Sequence, residues 1–158
     1  MSDRAPNWIL ITIMAAVIAL LVLILVLRDA SADTPAQVMG PARVVDGDTI
    51  RIGEHRIRLF GINAPEIGSE AGEQASRLMQ TLSANKSVVC NVVDTDRWQR
   101  LVAQCYVGGS DLGAAMVALG WAVNHDSYTS IYESYELWAR TQCHGMWTGQ
   151  YCWKGEGF

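Results

Sequence analysis

Residues 8–27 read WILITIMAAVIALLVLILVL, twenty positions without a charge. As a helix rising 1.5 Å per residue this run spans about 30 Å, the thickness of a bilayer's hydrocarbon core. A helix buried in a soluble domain normally keeps a polar stripe, and this run has none. Two readings stay open. The run is an uncleaved signal anchor, or it is a secretory signal peptide removed after Ala32, where Ala30-Ser31-Ala32 forms a small-x-small cleavage pattern. Its length exceeds an ordinary signal core, and Arg4 is the only basic residue ahead of it, which favours the anchor. Either reading exports the rest of the chain. The expected location is a single-pass membrane protein with its domain outside, or a secreted protein if cleaved.

Beyond residue 32, 126 residues with 10 basic and 14 acidic side chains must build the whole core. That suffices for one domain and not for two. The net charge of −4 excludes a generic polybasic nucleic-acid binder, so any contact with nucleic acid must come from a local site. Residues 33–41 hold two prolines without periodicity and read as a linker, 42–153 as the domain and 154–158 as a tail. A monomer is expected. All four cysteines (Cys90, Cys105, Cys143 and Cys152) follow the apolar run. An even count in an oxidising compartment implies two disulfides, with three possible pairings. Zinc is not supported, because there is no CxxC and no second ligand cluster.

Residues 42–45, 49–52 and 55–62 alternate apolar with polar side chains, broken by the turn pairs Asp46-Gly47 and Gly53-Glu54. Residues 70–84 switch to helical spacing, with Ala71, Ala75, Leu78, Met79 and Leu82 on one face. Residues 87–93 and 101–107 form a second hairpin. If Asp94 faces Leu101, Cys90 directly faces Cys105, within reach of a disulfide, and Cys143 is left for Cys152. Asp111 caps a helix with Leu112, Ala115, Met116 and Leu119 inward, ended by Gly120. A further helix opens at Ser130, where Glu133 completes a capping box, and its Ile131, Tyr135 and Trp138 stripe reads as core. Three strands, a helix, two strands and two helices fit an α+β chain built on a five-stranded OB-fold barrel with about three helices.

Four features carry chemistry: Asp46-Gly47-Asp48-Thr49, Arg58, Asn63-Ala64-Pro65-Glu66, and residues 96–100 ending in Arg100. Each alone has a dull explanation as a turn, a strand stop or a solvated arginine. Together they place acidic oxygens and arginines at the ends of neighbouring strands. Hard oxygens suit calcium or magnesium, and planar guanidinium forks suit phosphate. The histidines His55, His125 and His144 form no metal spacing and read as surface residues.

The stretch VVDGDTIRIGEHRIRLFGINAPE at 44–66, with DTDRWQRLVAQCYV at 94–107 and DLGAAMVALGWAV at 111–123, closely resembles the staphylococcal nuclease family. The resemblance covers roughly residues 42–149 and implies an OB-fold phosphodiesterase that uses calcium (Ca2+) to cleave DNA and RNA. It makes Asp48 the first calcium ligand, with the Ala64 carbonyl as a backbone ligand and Asn63 where the family usually has a second aspartate. Arg58 and Arg100 then clamp the phosphate, and Glu66 positions or deprotonates the attacking water. Truncating either arginine is expected to leave no buried partner behind. Two departures stand out. Asn63 removes a negative charge, so calcium affinity should fall. Gln99 replaces the glycine usual before the second arginine, which shifts that loop if a positive φ is required there. The competing readings are an OB-fold module, tethered to the membrane, that binds nucleic acid without cutting it, and a tethered interaction domain with no nucleic-acid role.

Overall fold

The computed structural model describes residues 7–29, 37–127, 129–149 and 152. The Ala30-Ser31-Ala32 pattern and the 154–158 tail lie outside them. The chain divides into two units, residues 1–35 and 36–158. The first contains α1 (Asn7–Asp29), 23 residues long. Its described side chains, Trp8 and residues 10–24, are all exposed. Among the described residues no helix is long and apolar enough to cross a membrane.

The second unit opens with an antiparallel meander of β1 (Gln37–Val44), β2 (Thr49–Ile52) and β3 (His55–Leu59). A short β4 (Ile62–Asn63) and α2 (Glu70–Ser83) lead to the hairpin of β5 (Ser87–Thr95) and β6 (Leu101–Val107). β7 (Ser110–Asp111), α3 (Leu112–Ala118), β8 (Val123–Asn124), α4 (Glu133–Thr141) and a 3-10 turn (Gly145–Trp147) follow. β1 pairs with β5 along its other edge, and β3 pairs in parallel with β6. The five long strands therefore close in the order β3-β2-β1-β5-β6, the barrel of the expected OB type, with no free edge between them. Ile50, Ile57, Leu59, Val88, Cys90, Ala103 and Cys105 fill its interior, joined by Met79 of α2 and by Leu112, Met116 and Val117 of α3. Disulfides link Cys90 to Cys105 and Cys143 to Cys152, the pairing expected.

The local readings differ from the structure in four places. β1 begins at Gln37, inside the stretch read as linker, and pairs there with β5 from Gln37↔Asn91 to Pro41↔Ser87. Gly40 and Pro41 argue against a strand, yet they fall where β1 passes from pairing with β5 to pairing with β2, a place where a lost ladder hydrogen bond is tolerated. In the second hairpin Cys90 does face Cys105, but Asp94 faces Val102 and Thr95 faces Leu101, because an irregularity between Val92 and Asp94 absorbs one residue. In α3 the inward residue is Val117, whereas Leu119 is 41% exposed. The stripe on α4 is not core. Ile131, Tyr135 and Trp138 are 46%, 44% and 54% exposed. The helix starts at Glu133 with no side-chain cap, and it is oriented by other contacts: Glu136 accepts from the Asn124 N–H at 2.7 Å, and the buried Tyr132 hydroxyl donates to Asp111 at 2.9 Å. Burial, with the Asp111 charge beside it, raises the Tyr132 phenol above its ordinary range, so it stays a donor.

Candidate active site

The turn between β1 and β2 is tight because both Val45 and Asp46 donate backbone N–H groups to the Thr49 carbonyl, at 2.9 and 3.2 Å. The Asp48 N–H donates in turn to the Asp46 carboxylate at 3.0 Å. Desolvation, helped by the neighbouring Asp48 charge, raises the Asp46 carboxyl above its ordinary value. Gly47 has a packing reason. A Cβ there would lie 2.7 Å from the Cβ atoms of both Ala64 and Ala75, so only glycine lets the turn rest against α2 and the segment after β4.

That closeness puts Asp48 at the centre of a polar knot while leaving it 5% exposed. One carboxylate oxygen accepts from the Thr49 hydroxyl at 3.0 Å and from the Arg58 guanidinium. The other accepts from the Ala64 N–H at 3.0 Å. Arg58 projects from the outer face of β3 and also donates to the Ile62 carbonyl at 3.2 Å and the Asn63 amide oxygen at 3.0 Å. Glu66 follows on the exposed loop before α2. The Ser69 hydroxyl, which caps α2 by accepting from Gly72, donates to the Glu66 carbonyl at 2.8 Å. A Cβ on Gly72 would lie 2.0 Å from that carbonyl, so the bare first turn of α2 is what lets the Glu66 segment lie on it.

Arg100 arrives from the neighbouring strand of the closed barrel, at the end of the β5–β6 loop and just before Leu101, which pairs with Ile57 of β3. Asp96 organises this loop by accepting backbone N–H bonds from Trp98 and Arg100, both at 2.9 Å, and the Arg100 Nε at 2.7 Å. Desolvation alone would raise the Asp96 carboxyl, but these donors outweigh it and hold it below the usual carboxylate range. Gln99 sits in the loop at φ 61°, the left-handed conformation glycine adopts freely. The glycine-to-glutamine departure therefore leaves the positive φ in place and puts a Cβ on it.

These segments meet around a cavity of about 530 Å³ lined by Arg56, Arg58, Asn63, Glu66, Arg100 and His125, among others. Four of the six residues singled out from sequence line it. Asp48 and Ala64 do not; they lie buried behind Arg58 and Asn63. His125, read as a surface residue, is half-buried against the cavity because its N–H donates to the Gly61 carbonyl at 2.8 Å. Asp96 is the anchor of Arg100, a role the sequence signals as an acid four residues before a base across a hairpin tip. Among the described residues no three His, Cys, Asp or Glu side chains are grouped to hold a metal ion.

Residues 56–149 match the family model described as staphylococcal nuclease homologue. The chain belongs to the staphylococcal nuclease family. It is 33% identical over 145 residues to ExoI, a succinoglycan biosynthesis protein of Rhizobium meliloti (strain 1021), covering 84% of this chain and 75% of that one. It is 32% identical to a micrococcal nuclease of Shigella flexneri, with 83% of each chain covered. An uncharacterized endonuclease of Escherichia coli O157:H7 is 33% identical over 113 residues, 67% of this chain and 74% of its own. Within a staphylococcal nuclease the two arginines, the glutamate and the asparagine thus stand on the wall of one cavity, brought there from β3, β4 and the two loops that flank α2 and join β5 to β6.

Proposed function

We propose that this nuclease is a calcium-dependent phosphodiesterase acting on DNA or RNA, or both, held at or exported across a membrane by residues 8–27. The observation that carries the reading is one cavity whose wall holds Arg58 and Arg100 together with the exposed Glu66. A phosphodiester seated there meets Arg58 and Arg100 as donors to its non-bridging oxygens. Glu66, on the solvent side, accepts a proton from water as the water oxygen attacks phosphorus. The bond to the leaving oxygen then breaks. The arginines are fixed beforehand by Asp48 and Asp96, so charge gathering on the phosphorane-like transition state meets donors that need no reorganisation.

The donor set fits a hard cation. An ionised carboxylate offers about four acceptor positions, and the knot around Asp48 uses three of them. The Asn63 amide oxygen has one lone pair beyond the one Arg58 engages. Asp48, Asn63 and the Ala64 carbonyl would hold calcium as oxygen ligands, with one carboxylate where the family usually supplies two. Bound there, the ion supplies Lewis-acid polarisation of the phosphate.

The test is a cleavage assay of residues 33–158 on single-stranded DNA and RNA, with calcium titrated against EDTA. Cleavage that appears with calcium and is lost with EDTA supports the reading. No cleavage at any calcium concentration, with oligonucleotide affinity indifferent to Glu66→Gln, would leave a binding module in its place.

A further inference from the structure

Beside the cavity three arginines stand in a row. Arg43 on β1 is the register partner of Arg51 on β2, and Arg51 is the partner of Arg56 on β3. Ile50, Ile52 and Ile57 point into the core, so the alternating arginines project from the barrel's outer wall, where Arg43 and Arg56 are exposed and Arg51 is half-buried. With strands about 4.8 Å apart, three like charges fall within about 10 Å. Like charges directly opposite each other destabilise a sheet. Among the described residues none of the three side chains has an ion pair, hydrogen bond or ring contact, and the ion pairs belong to Arg58, Arg100 and Arg140. In a chain of net charge −4 this is a local concentration of unpaired positive charge.

The row is continuous with the site. Arg56 lines the cavity, and Arg58 lies two residues further along the same strand on the same face, about 6.6 Å away. We propose that Arg56, Arg51 and Arg43 form a track that leads out of the cavity and holds the phosphates flanking the cleaved bond in a single nucleic-acid strand. The inference rests on the nuclease reading and extends it to the length and form of the substrate. A track one side chain wide, opening into a cavity the size of a small-molecule site, takes one strand and not a duplex. Guanidinium contacts to phosphate carry no base identity, so this grip is independent of sequence.

The experiment compares binding of a labelled single-stranded 12-mer and a dinucleotide to the full chain in detergent, with EDTA present so that the strand stays intact. In the double variant Arg43→Gln/Arg51→Gln, affinity for the 12-mer should fall roughly tenfold, from the loss of two exposed ion pairs with phosphate. The slope of log affinity against log salt should flatten by about 1.4, at about 0.7 per lost phosphate contact. Dinucleotide affinity should move less than twofold. Arg43→Lys/Arg51→Lys, which keeps the charges, should keep 12-mer affinity and slope. The melting temperature of the glutamine variant should not fall, because facing like charges are removed. Unchanged 12-mer affinity and slope, or equal losses on both probes, would overturn the track while leaving the nuclease reading intact. A parent chain that binds neither probe and cuts nothing with calcium would overturn both.

Discussion

Arg58 bridges Asp48 and Asn63: one guanidinium nitrogen lies against the buried carboxylate, and the other donates to the amide oxygen at 3.0 Å. The two side chains expected to share a metal ion therefore already share a cation of the protein. With asparagine at 63, the charges of Asp48, Asn63 and Arg58 sum to zero. A calcium ion approaching this trio meets a weaker attraction than a second carboxylate at position 63 would give.

Asn63→Asp restores a net negative charge and should lower the calcium concentration for half-maximal cleavage on the order of tenfold, since affinity follows ligand charge. A calcium titration of initial rates measures it. An unchanged or raised requirement removes position 63 from the metal site.

Glu66→Gln and Arg58→Ala should part company in stability. Glu66 is exposed, so glutamine should cut the rate by about a hundredfold or more and leave the melting temperature almost unmoved. The expectation that truncating an arginine leaves no buried partner does not hold for Arg58, because Asp48 is 5% exposed. Arg58→Ala should cost about 2 kcal/mol, near 8 °C of melting temperature, as well as activity. Adding Asp48→Asn should recover part of the stability and none of the rate, which a double-mutant cycle by calorimetry and cleavage assay would show.

Asp96→Asn loosens the loop that aims Arg100. The folded carboxyl lies below its usual value, so its stabilisation is present above the ordinary carboxylate range and lost as pH falls through the folded value. The melting-temperature gap between parent and variant should be clear at neutral pH and close in acid, below the ordinary carboxylate range. At neutral pH kcat should fall about tenfold with little change in KM, because Arg100 acts on the transition state. A gap that persists in acid would separate the loop's stability from this carboxylate.

Gln99→Gly removes a Cβ from a residue at φ 61°. Relief of the left-handed penalty, reduced by glycine's extra freedom when unfolded, should stabilise the domain by about 0.5 kcal/mol without loss of cleavage. Thermal melts and initial rates check both halves. A destabilised variant would mean that the glutamine side chain makes a contact worth more than the strain.

Most of the site is legible because Asp48, Arg58, Asn63 and Glu66 fall within one strand-turn-strand stretch, where period-two alternation and the DG and GE turns set register locally. Arg100 is told apart from Arg97, the other base of the same hairpin loop, by the resemblance to the family. What is not legible depends on distant pairing. His125 reaches the cavity because β8 pairs with β4, Ile62 facing Asn124, and no nearby residue announces that contact. The start of β1 is not legible because Gly40 and Pro41 look like linker until β5 lies alongside. The orientation of the Ile131, Tyr135 and Trp138 stripe is not legible for a related reason. Apolar spacing shows which residues share a face, but Tyr132 and Glu136, anchored to Asp111 and Asn124, decide which face turns inward.

The parallel seam between β3 and β6 joins Ile57 to Leu101 and Leu59 to Ala103, residues more than forty positions apart in the chain. Arg58 belongs to one side of that seam and Arg100 immediately precedes the other, so neither half of the chain holds both jaws. Contacts of such long separation carry the greatest loop-closure cost and tend to form late in folding. The two arginines proposed to hold phosphate thus come together only when the barrel shuts. On the proposed reading an unfolded molecule is unarmed, and the closing of one strand pair is the safety catch.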